Sequence, residues 1–293
     1  MLVIENNDLK VEINQLGAEI THIWNKKENF DYIWNGDIWP KHAPVLFPSI
    51  GRSAEDQYSY DGKIYNMPQH GFAQEQMFTV DNKSSEVLIL ELTDNDETQK
   101  LFPFKFSLKI EFRLNKNQLF INFKISNLDK KEFSYSIGAH PALNVPINGL
   151  GSFSDYQLSF EPVVEELKQF EIIKTPNPYR TGNLIPVSAY SDGVINLNYD
   201  MFEAGLVILE NKDLDKIILH SGVTKHQIEI NIKDFRYLCL WTKEGANAEF
   251  LCIEPFQGLP DIDRHVSDLL NKEANVKIGV GEENSLGYSL KFE

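Results

Sequence analysis

The sequence predicts an all-β protein, either a sandwich or a barrel, from three features of its 293 residues. The dominant feature is an alternation of apolar and polar residues with period two, which is typical of strands with one buried face. Such segments recur along the whole chain while helical patterns are few, which favours a sandwich or barrel. Aromatic residues make up 12% of the chain, and flat rings pack well on a pleated sheet.

The clearest strands lie in the middle of the chain. Residues 104–114 alternate between apolar and polar or charged side chains, a turn follows at 115–117, and residues 119–126 alternate again. This pattern predicts an antiparallel hairpin. Shorter strands are predicted at residues 2–4, 9–15, 19–25, 87–93, 157–160, 207–210, 217–220, 227–232, 237–242 and 249–254, with a last strand at 276–281 or 285–292.

Helices are predicted at only two places. Residues 263–272 form a short amphipathic pattern that Asp263 can cap, and residues 162–170 fit another turn or two. Residues 144–181 are predicted to be a long loop region, and long loops in β-proteins often wall a site. No linker-like composition separates two halves, so we expect one domain over residues 1–293.

The formal net charge is −15, so the field around the protein repels polyanions. We therefore expect neither nucleic acid nor an anionic membrane as a partner. The same field disfavours a phosphorylated substrate, unless a local basic pocket overrides it. Composition does not predict the oligomeric state.

The two cysteines, Cys239 and Cys252, lie in apolar strand-like runs, where free thiols usually serve as buried core residues. The first residues lack the pattern of a signal peptide, and no apolar stretch approaches the roughly 20 residues that span a bilayer. These features predict a cytoplasmic protein with free thiols.

Four segments interrupt the alternation and place polar residues beside Gly and Pro: PVLFPSIGR (44–52), MPQHGFAQ (67–74), SIGAHPALN (136–144) and IEPFQGLPD (253–261). His140 precedes a proline, which favours an extended backbone, and its imidazole can exchange a proton near neutral pH. Glu254 ends an apolar strand in which Leu251 and Ile253 share the other face, and a carboxylate there can act as a general base.

Two further residues in these segments suit ligand recognition. His70 precedes Gly71, which permits a close approach of the backbone, and Arg52 offers five fixed hydrogen-bond donors. Taken alone, each candidate is more often a turn histidine or a solvated charge than a functional residue. No metal-binding, phosphate-loop or nucleophile-elbow motif is present, so we expect no metal or cofactor, and hydrolase, kinase and dehydrogenase activities lack support.

Together, the four segments resemble the aldose 1-epimerase (mutarotase) family, in its broad bacterial branch, from about Leu9 to the C-terminus. The resemblance implies the large antiparallel β-sandwich of galactose mutarotases, a monosaccharide substrate and no cofactor. It also implies that His140 is the catalytic acid, that Glu254 is the catalytic base, and that His70 and Arg52 contact the sugar.

Two positions depart from the family pattern. Gln74 stands in the substrate-binding segment where many relatives have the arginine that holds a sugar phosphate, which together with the net charge predicts a neutral hexose. Gly205 stands where a sugar-binding aspartate is expected, and Glu203 or Asp200 are the candidates to replace it. Two alternatives therefore stay open: a non-catalytic sugar-binding or sensor protein, and a sugar-phosphate mutarotase that uses Arg52 and Lys41.

Overall fold

The computed structural model describes residues 1–174 and 178–293, and it confirms the predicted all-β class as a large antiparallel β-sandwich. Its strands are β1 (Leu2–Glu5), β2 (Leu9–Ile13), β3 (Ile20–Asn25), β4 (Phe30–Asp31), β5 (Val45–Leu46), β6 (Gln57–Tyr60), β7 (Lys63–Asn66), β8 (Thr79–Lys83), β9 (Val87–Thr93), β10 (Phe106–Asn115), β11 (Gln118–Asn127), β12 (Phe133–Tyr135), β13 (Ile137–Ala139), β14 (Ala142–Asn144), β15 (Tyr156–Glu161), β16 (Lys168–Ile173), β17 (Tyr179–Pro186), β18 (Tyr190–Ser191), β19 (Val194–Asn196), β20 (Val207–Glu210), β21 (Lys216–Ser221), β22 (Ile228–Asn231), β23 (Tyr237–Trp241), β24 (Phe250–Gln257), β25 (Val276–Ile278) and β26 (Glu283–Phe292).

Helical structure in the described residues is short. The α-helix α1 spans Asp96–Leu101, and 3₁₀ turns occur at Ala54–Asp56, Ala73–Glu75, Ile147–Gly149, Phe153–Asp155, Tyr199–Phe202 and Leu269–Asn271. Asn95 caps α1 by accepting hydrogen bonds from the backbone of Glu97 and Thr98, and the Thr98 hydroxyl accepts one in return from the Asn95 amide. These helices are all too short or too polar to cross a bilayer.

Two large sheets hold most of the strands. A ten-stranded sheet runs in the order β18-β19-β15-β21-β22-β26-β11-β10-β9-β8. An eight-stranded sheet runs β17-β16-β20-β23-β24-β13-β5, with β14 paired separately to β24. The predicted hairpin is β10–β11, in which Leu108 pairs with Ile125. Both candidates for the last strand are present, as β25 and β26.

Apolar faces of both large sheets contribute to one cluster of buried side chains. Leu251 and Ile253 of β24 point into this cluster, as does Leu240 of β23. The alternate residues Cys252 and Glu254 lie on the opposite face, as the period of two predicts. The eight-stranded sheet therefore packs on the core with one face and presents the other face to the candidate site.

The predicted helix at residues 263–272 is wrong. Its backbone groups bond to neighbouring segments instead of to each other: the Asp263 amide donates to the Arg180 carbonyl (3.1 Å), and the Ser267 carbonyl accepts from the Ser59 amide (2.9 Å). Arg264 adopts a left-handed conformation, with φ at 59°. Only a 3₁₀ turn forms, at Leu269–Asn271, and its cap is Asp268 rather than Asp263.

Two further sequence predictions differ from the structure. Residues 162–170 form no helical turn, and β16 begins within them at Lys168. The region 144–181 is less loop-rich than predicted because it contains β15, β16 and the start of β17. Residues 175–177 of that region lie outside the described residues.

Gly71 allows two of the interrupted segments to meet. It forms a bridge to Phe47 and has φ of +73°. A Cβ atom at this position would lie 2.2 Å from the Phe47 carbonyl oxygen, which is backbone and cannot turn aside. Only glycine therefore permits this approach, which places His70 beside the segment that carries Arg52.

Gly71→Ala should lower the free energy of unfolding by about 2–5 kcal/mol, because left-handed strain and a backbone clash add together. Gly62→Ala is the matched control: Gly62 has φ of +71° but nothing within 4 Å of the added carbon, so it should cost only about 1–2 kcal/mol. Urea unfolding of both variants measures the difference. Equal losses would contradict the clash.

Candidate active site

The four interrupted segments are neighbours in the structure although up to about two hundred residues separate them in the chain. Gly138 of β13 pairs with Leu46 of β5 on one side and with Phe256 of β24 on the other. The bridge from Phe47 to Gly71 adds the fourth segment. Together they form one end of a pocket of about 660 Å³, which is lined by His140, Glu254, Arg52, His70 and Gln74 among others.

The strand register brings His140 and Glu254 together. Gly138 pairs with Phe256 and Ala142 pairs with Cys252, so His140 falls opposite Glu254. Directly opposed residues of an antiparallel pair have Cβ atoms about 4.5–5.5 Å apart. The imidazole Nε2 lies 3.2 Å from the Glu254 Oε2, and the two residues are 7% and 1% exposed.

Burial determines the charge of this pair. It raises the pKa of the Glu254 carboxyl well above 4.5, and it lowers the pKa of the His140 imidazole well below 6.5. The lowered pKa of His140 also reflects the nearby His70 and Lys41. Burial therefore favours the neutral form of both groups, with a proton on Glu254 rather than on His140.

His70 is oriented by the backbone of Gly51. The Gly51 amide donates a hydrogen bond to the imidazole Nδ1 (3.1 Å), and the His70 amide donates to the Gly51 carbonyl (2.8 Å). Because Nδ1 accepts, the ring proton lies on Nε2. Burial, followed by the charges of Lys41 and Arg52, lowers the pKa of His70 to about 3, so the ring is a neutral donor at its Nε2 edge.

Arg52 is held at its backbone while its side chain lines the pocket. The Asp261 amide donates to the Arg52 carbonyl (3.0 Å), and the Asp261 carboxylate accepts from the Ala54 amide (2.9 Å). Lys272 neutralises that buried carboxylate at 2.8 Å. Among the described residues, the buried Nε of Arg52 has no hydrogen-bond partner, so this donor is available to a ligand.

Gln74 lies beside Lys41. Its amide oxygen accepts a hydrogen bond from the Lys41 ammonium, and its amide nitrogen donates to the Gln69 carbonyl (3.2 Å). Gln74 thus orients a cation at the pocket wall.

The structure places all five predicted site residues along the wall of this one pocket: His140, Glu254, Arg52, His70 and Gln74.

Sequence reasoning missed the aromatic wall of the pocket. The Trp39 ring stacks on His140 with centroids 5.0 Å apart, and Trp241 meets both rings edge-on. Trp241 was detectable, since it lies in the predicted strand 237–242 on the same face as Cys239. Trp39 lies before β5 in a segment with no regular pattern, so no local signal marks it.

The far end of the pocket is formed around Gly205. Neither Glu203 nor Asp200 lines the pocket among the described residues; the acidic residue there is Glu244, whose Oε2 would lie 3.5 Å from a Cβ at position 205. Two basic residues that sequence reasoning did not single out, Lys174 and Lys243, also line this end.

One group of potential metal ligands occurs in the part of the chain that the structure describes: His140, Cys252 and Glu254, with ligand atoms within 4.8 Å of one another. Burial and the neighbouring Glu254 raise the pKa of the Cys252 thiol well above 9.0. A thiol must lose its proton to bind a metal, so this arrangement favours proton transfer between His140 and Glu254 over metal binding.

Comparisons with known proteins find relatives of the same fold. A family model described as aldose 1-epimerase matches residues 1–266. A galactose mutarotase-like protein from Lactobacillus casei ATCC 334 is 36% identical, both chains are covered completely, and the TM-score is 0.95. A galactose mutarotase related enzyme from Lactobacillus acidophilus is 31% identical over 100% of this chain and 97% of that chain, with a TM-score of 0.93. The chromosomal protein LacX of Lactococcus lactis subsp. lactis is 26% identical over 269 residues, 87% of each chain.

The buried carboxyl of Glu254 makes a prediction about stability. A carboxyl whose pKa is raised by folding keeps its proton in the folded protein and loses it on unfolding, so stability falls as pH rises from the unfolded value of about 4.5 towards the raised value. Glu254→Gln has no such proton. Relative to wild type, the melting temperature of this variant should therefore increase progressively as the pH rises above about 4.5.

The matched control is Glu165→Gln, at an exposed glutamate without an ion pair among the described residues. Its melting temperature should differ from wild type by the same amount at every pH. Calorimetric scans of the three proteins across this range provide the measurement. Parallel curves for wild type and Glu254→Gln would show that Glu254 is ionised in the fold.

Proposed function

The chain belongs to the aldose 1-epimerase family, and we propose that it interconverts the α and β anomers of an aldose such as a neutral hexose. The observation that carries the proposal is the buried contact of 3.2 Å between His140 Nε2 and Glu254 Oε2 inside the pocket. A titratable acid and base in direct contact, both with perturbed pKa values, are typical of a proton-transfer site.

The reaction requires only the movement of protons. Glu254, as the base, takes the proton of the anomeric hydroxyl, and the C1–O1 bond becomes a carbonyl. The bond between C1 and the ring oxygen breaks, and the ring oxygen takes a proton from His140. Rotation about C1–C2 presents the other face of the aldehyde, and ring closure returns both protons to their donors. The reaction consumes no second reactant, so the acid and base groups of the pocket are enough for the proton transfers.

The neutral state of the pair is compatible with this mechanism. A protonated Glu254 with a neutral His140 contains one proton, as does the carboxylate with an imidazolium. Transfer across their contact converts one state into the other. A bound sugar favours the ionised state, because its hydroxyls can hydrogen-bond the carboxylate, whose Oε1 has no partner among the described residues.

The remaining residues suit recognition of a sugar ring. The rings of Trp39 and Trp241 offer apolar faces for the C–H surface of a pyranose. His70 donates from Nε2, Arg52 donates from a buried Nε, and Gln74 fixes Lys41. We propose that the reaction takes place in the cytoplasm, where the buried free thiols of Cys239 and Cys252 stay reduced.

A non-catalytic sugar sensor is the second candidate. It is favoured by Gly205, because the acidic side chain expected at this wall is absent and a sugar hydroxyl loses that acceptor. The intact His140–Glu254 pair favours the enzyme, since a binding protein has no need for two buried titratable groups whose burial costs stability. A measurement of anomer exchange distinguishes the epimerase from the non-catalytic sensor.

Anomer exchange of galactose and glucose, measured by NMR magnetisation transfer, should be accelerated by the wild-type protein. Glu254→Gln and His140→Gln should each lose at least about 100-fold in rate, because each removes a general acid–base group. Glu165→Gln should retain the wild-type rate.

Loss of acceleration in both pair variants supports the mechanism. Full activity in Glu254→Gln would contradict the role of Glu254. Sugar binding by calorimetry, without any acceleration in the wild type, would favour the sensor.

A further inference from the structure

The pocket has the opposite charge from the rest of the molecule. Four basic residues line it, namely Lys41, Arg52, Lys174 and Lys243, against two acidic residues, Glu244 and Glu254. The chain as a whole has a formal net charge of −15. A local excess of basic residues in so acidic a protein is a feature of the pocket and not of the composition.

Most of this positive charge is not neutralised by the protein. Among the described residues, Arg52 and Lys243 have no acidic partner within 4.0 Å. Lys41 has only Glu75 at 3.6 Å, and the Glu75 side chain is 69% exposed. An exposed pair of this kind is weak and screened by salt. Lys174 pairs with Glu244 at 3.5 Å, so these two charges largely cancel.

The positive charge of the lining also affects His70, a residue inside the site. After burial itself, the charges of Lys41 and Arg52 are what lower the pKa of His70. Glu254 does not offset them, because the His140–Glu254 pair has no net charge, whether both groups are neutral or both are ionised. The residues that line the pocket therefore carry a net positive charge.

The Gly205 end of the pocket offers more hydrogen-bond donors than acceptors. A carboxylate at position 205 would accept hydrogen bonds from neutral hydroxyls. The structure has no side chain there, and the neighbouring Lys174 and Lys243 offer ammonium groups, which donate and cannot accept. Among the described residues, the carboxylate at this end is Glu244, and it lies 3.5 Å from the Lys174 ammonium. Such a wall suits an anion better than a hydroxyl.

We propose that the Gly205 end of the pocket, with Lys243 as its free cation, binds an anionic substituent of the sugar, so that the preferred substrate is an acidic aldose. This inference rests on the proposed function, since the anomeric carbon is held at His140 and Glu254. Phosphate and carboxylate are the two substituents with this chemistry. The cavity of about 660 Å³ lies within the range of roughly 300–1,000 Å³ for small-molecule sites.

The net charge of the protein does not oppose this inference. Clefts with low-dielectric walls focus the field of the charges that line them, so a ligand inside responds to the lining rather than to the distant surface. The acidic surface mainly slows the encounter with an anion, whereas the basic lining stabilises it once bound.

The test compares kcat/KM for anomer exchange of glucose, glucose 6-phosphate and glucuronate. Wild type should prefer at least one of the two anions by about tenfold or more, as a hydrogen bond to a charged group implies. Lys243→Met should reduce this ratio of anion to glucose by about tenfold. Lys130→Met is the control, because it removes the same charge from an exposed turn outside the pocket, and it should leave the ratio unchanged.

The outcomes separate the two proposals. A preference for glucose 6-phosphate assigns a phosphate subsite, and a preference for glucuronate assigns a carboxylate subsite. Equal kcat/KM for all three sugars, or an equal effect of Lys243→Met and Lys130→Met, overturns the anion subsite and leaves the epimerase intact.

If no sugar is turned over, the proposed function fails and binding still tests the subsite. Calorimetry with glucose 6-phosphate, glucuronate and glucose then replaces kinetics. Tighter binding of an anion that Lys243→Met weakens and Lys130→Met does not would support the subsite. Equal affinity for all three sugars would overturn it.

Discussion

The site depends on the register between β24 and the two short strands that flank His140. β13 and β14 both pair with β24, and the ladder is interrupted between them at His140 and Pro141. Pro141 has no amide proton to donate, but its carbonyl still accepts from the Ile253 amide at 3.4 Å. The strands therefore stay aligned across the interruption. A shift by one residue would turn Glu254 into the apolar core and Ile253 into the pocket.

This arrangement lowers the stability of the folded protein. Two titratable groups lie in a wall made of Trp39, Trp241 and the thiol of Cys239, where neither is favoured in its charged form. An apolar wall at this position would make the folded protein more stable. Such a loss of stability at a functional site is a common compromise between stability and activity. In the mechanism that we propose, the benefit of this compromise is that proton transfer within the pair needs no solvent.

The sequence predicted those parts of the structure that follow from local patterns. The alternation through Leu251, Cys252, Ile253 and Glu254 correctly separated core from pocket, because period two follows directly from strand geometry. The helix at residues 263–272 was wrong because Arg180 and Ser59 take part in its backbone hydrogen bonds, and no local pattern reveals distant partners. The same reason explains why sequence analysis missed the pocket residues Lys174, Lys243 and Trp39. Each reaches the pocket through the tertiary structure, and no local pattern marks it.

Gln74 shows why the substitution of a single residue does not by itself determine the charge of the pocket. The loss of an arginine at this position, together with the acidic composition, predicted a neutral substrate. In the structure, the Gln74 amide oxygen accepts a hydrogen bond from the Lys41 ammonium and holds this cation at the pocket wall. The positive charge is therefore supplied from another segment of the chain rather than lost. Because a ligand responds to the groups that surround it, the charges lining the pocket are a better guide to the substrate than either the single substitution or the sum over the whole chain.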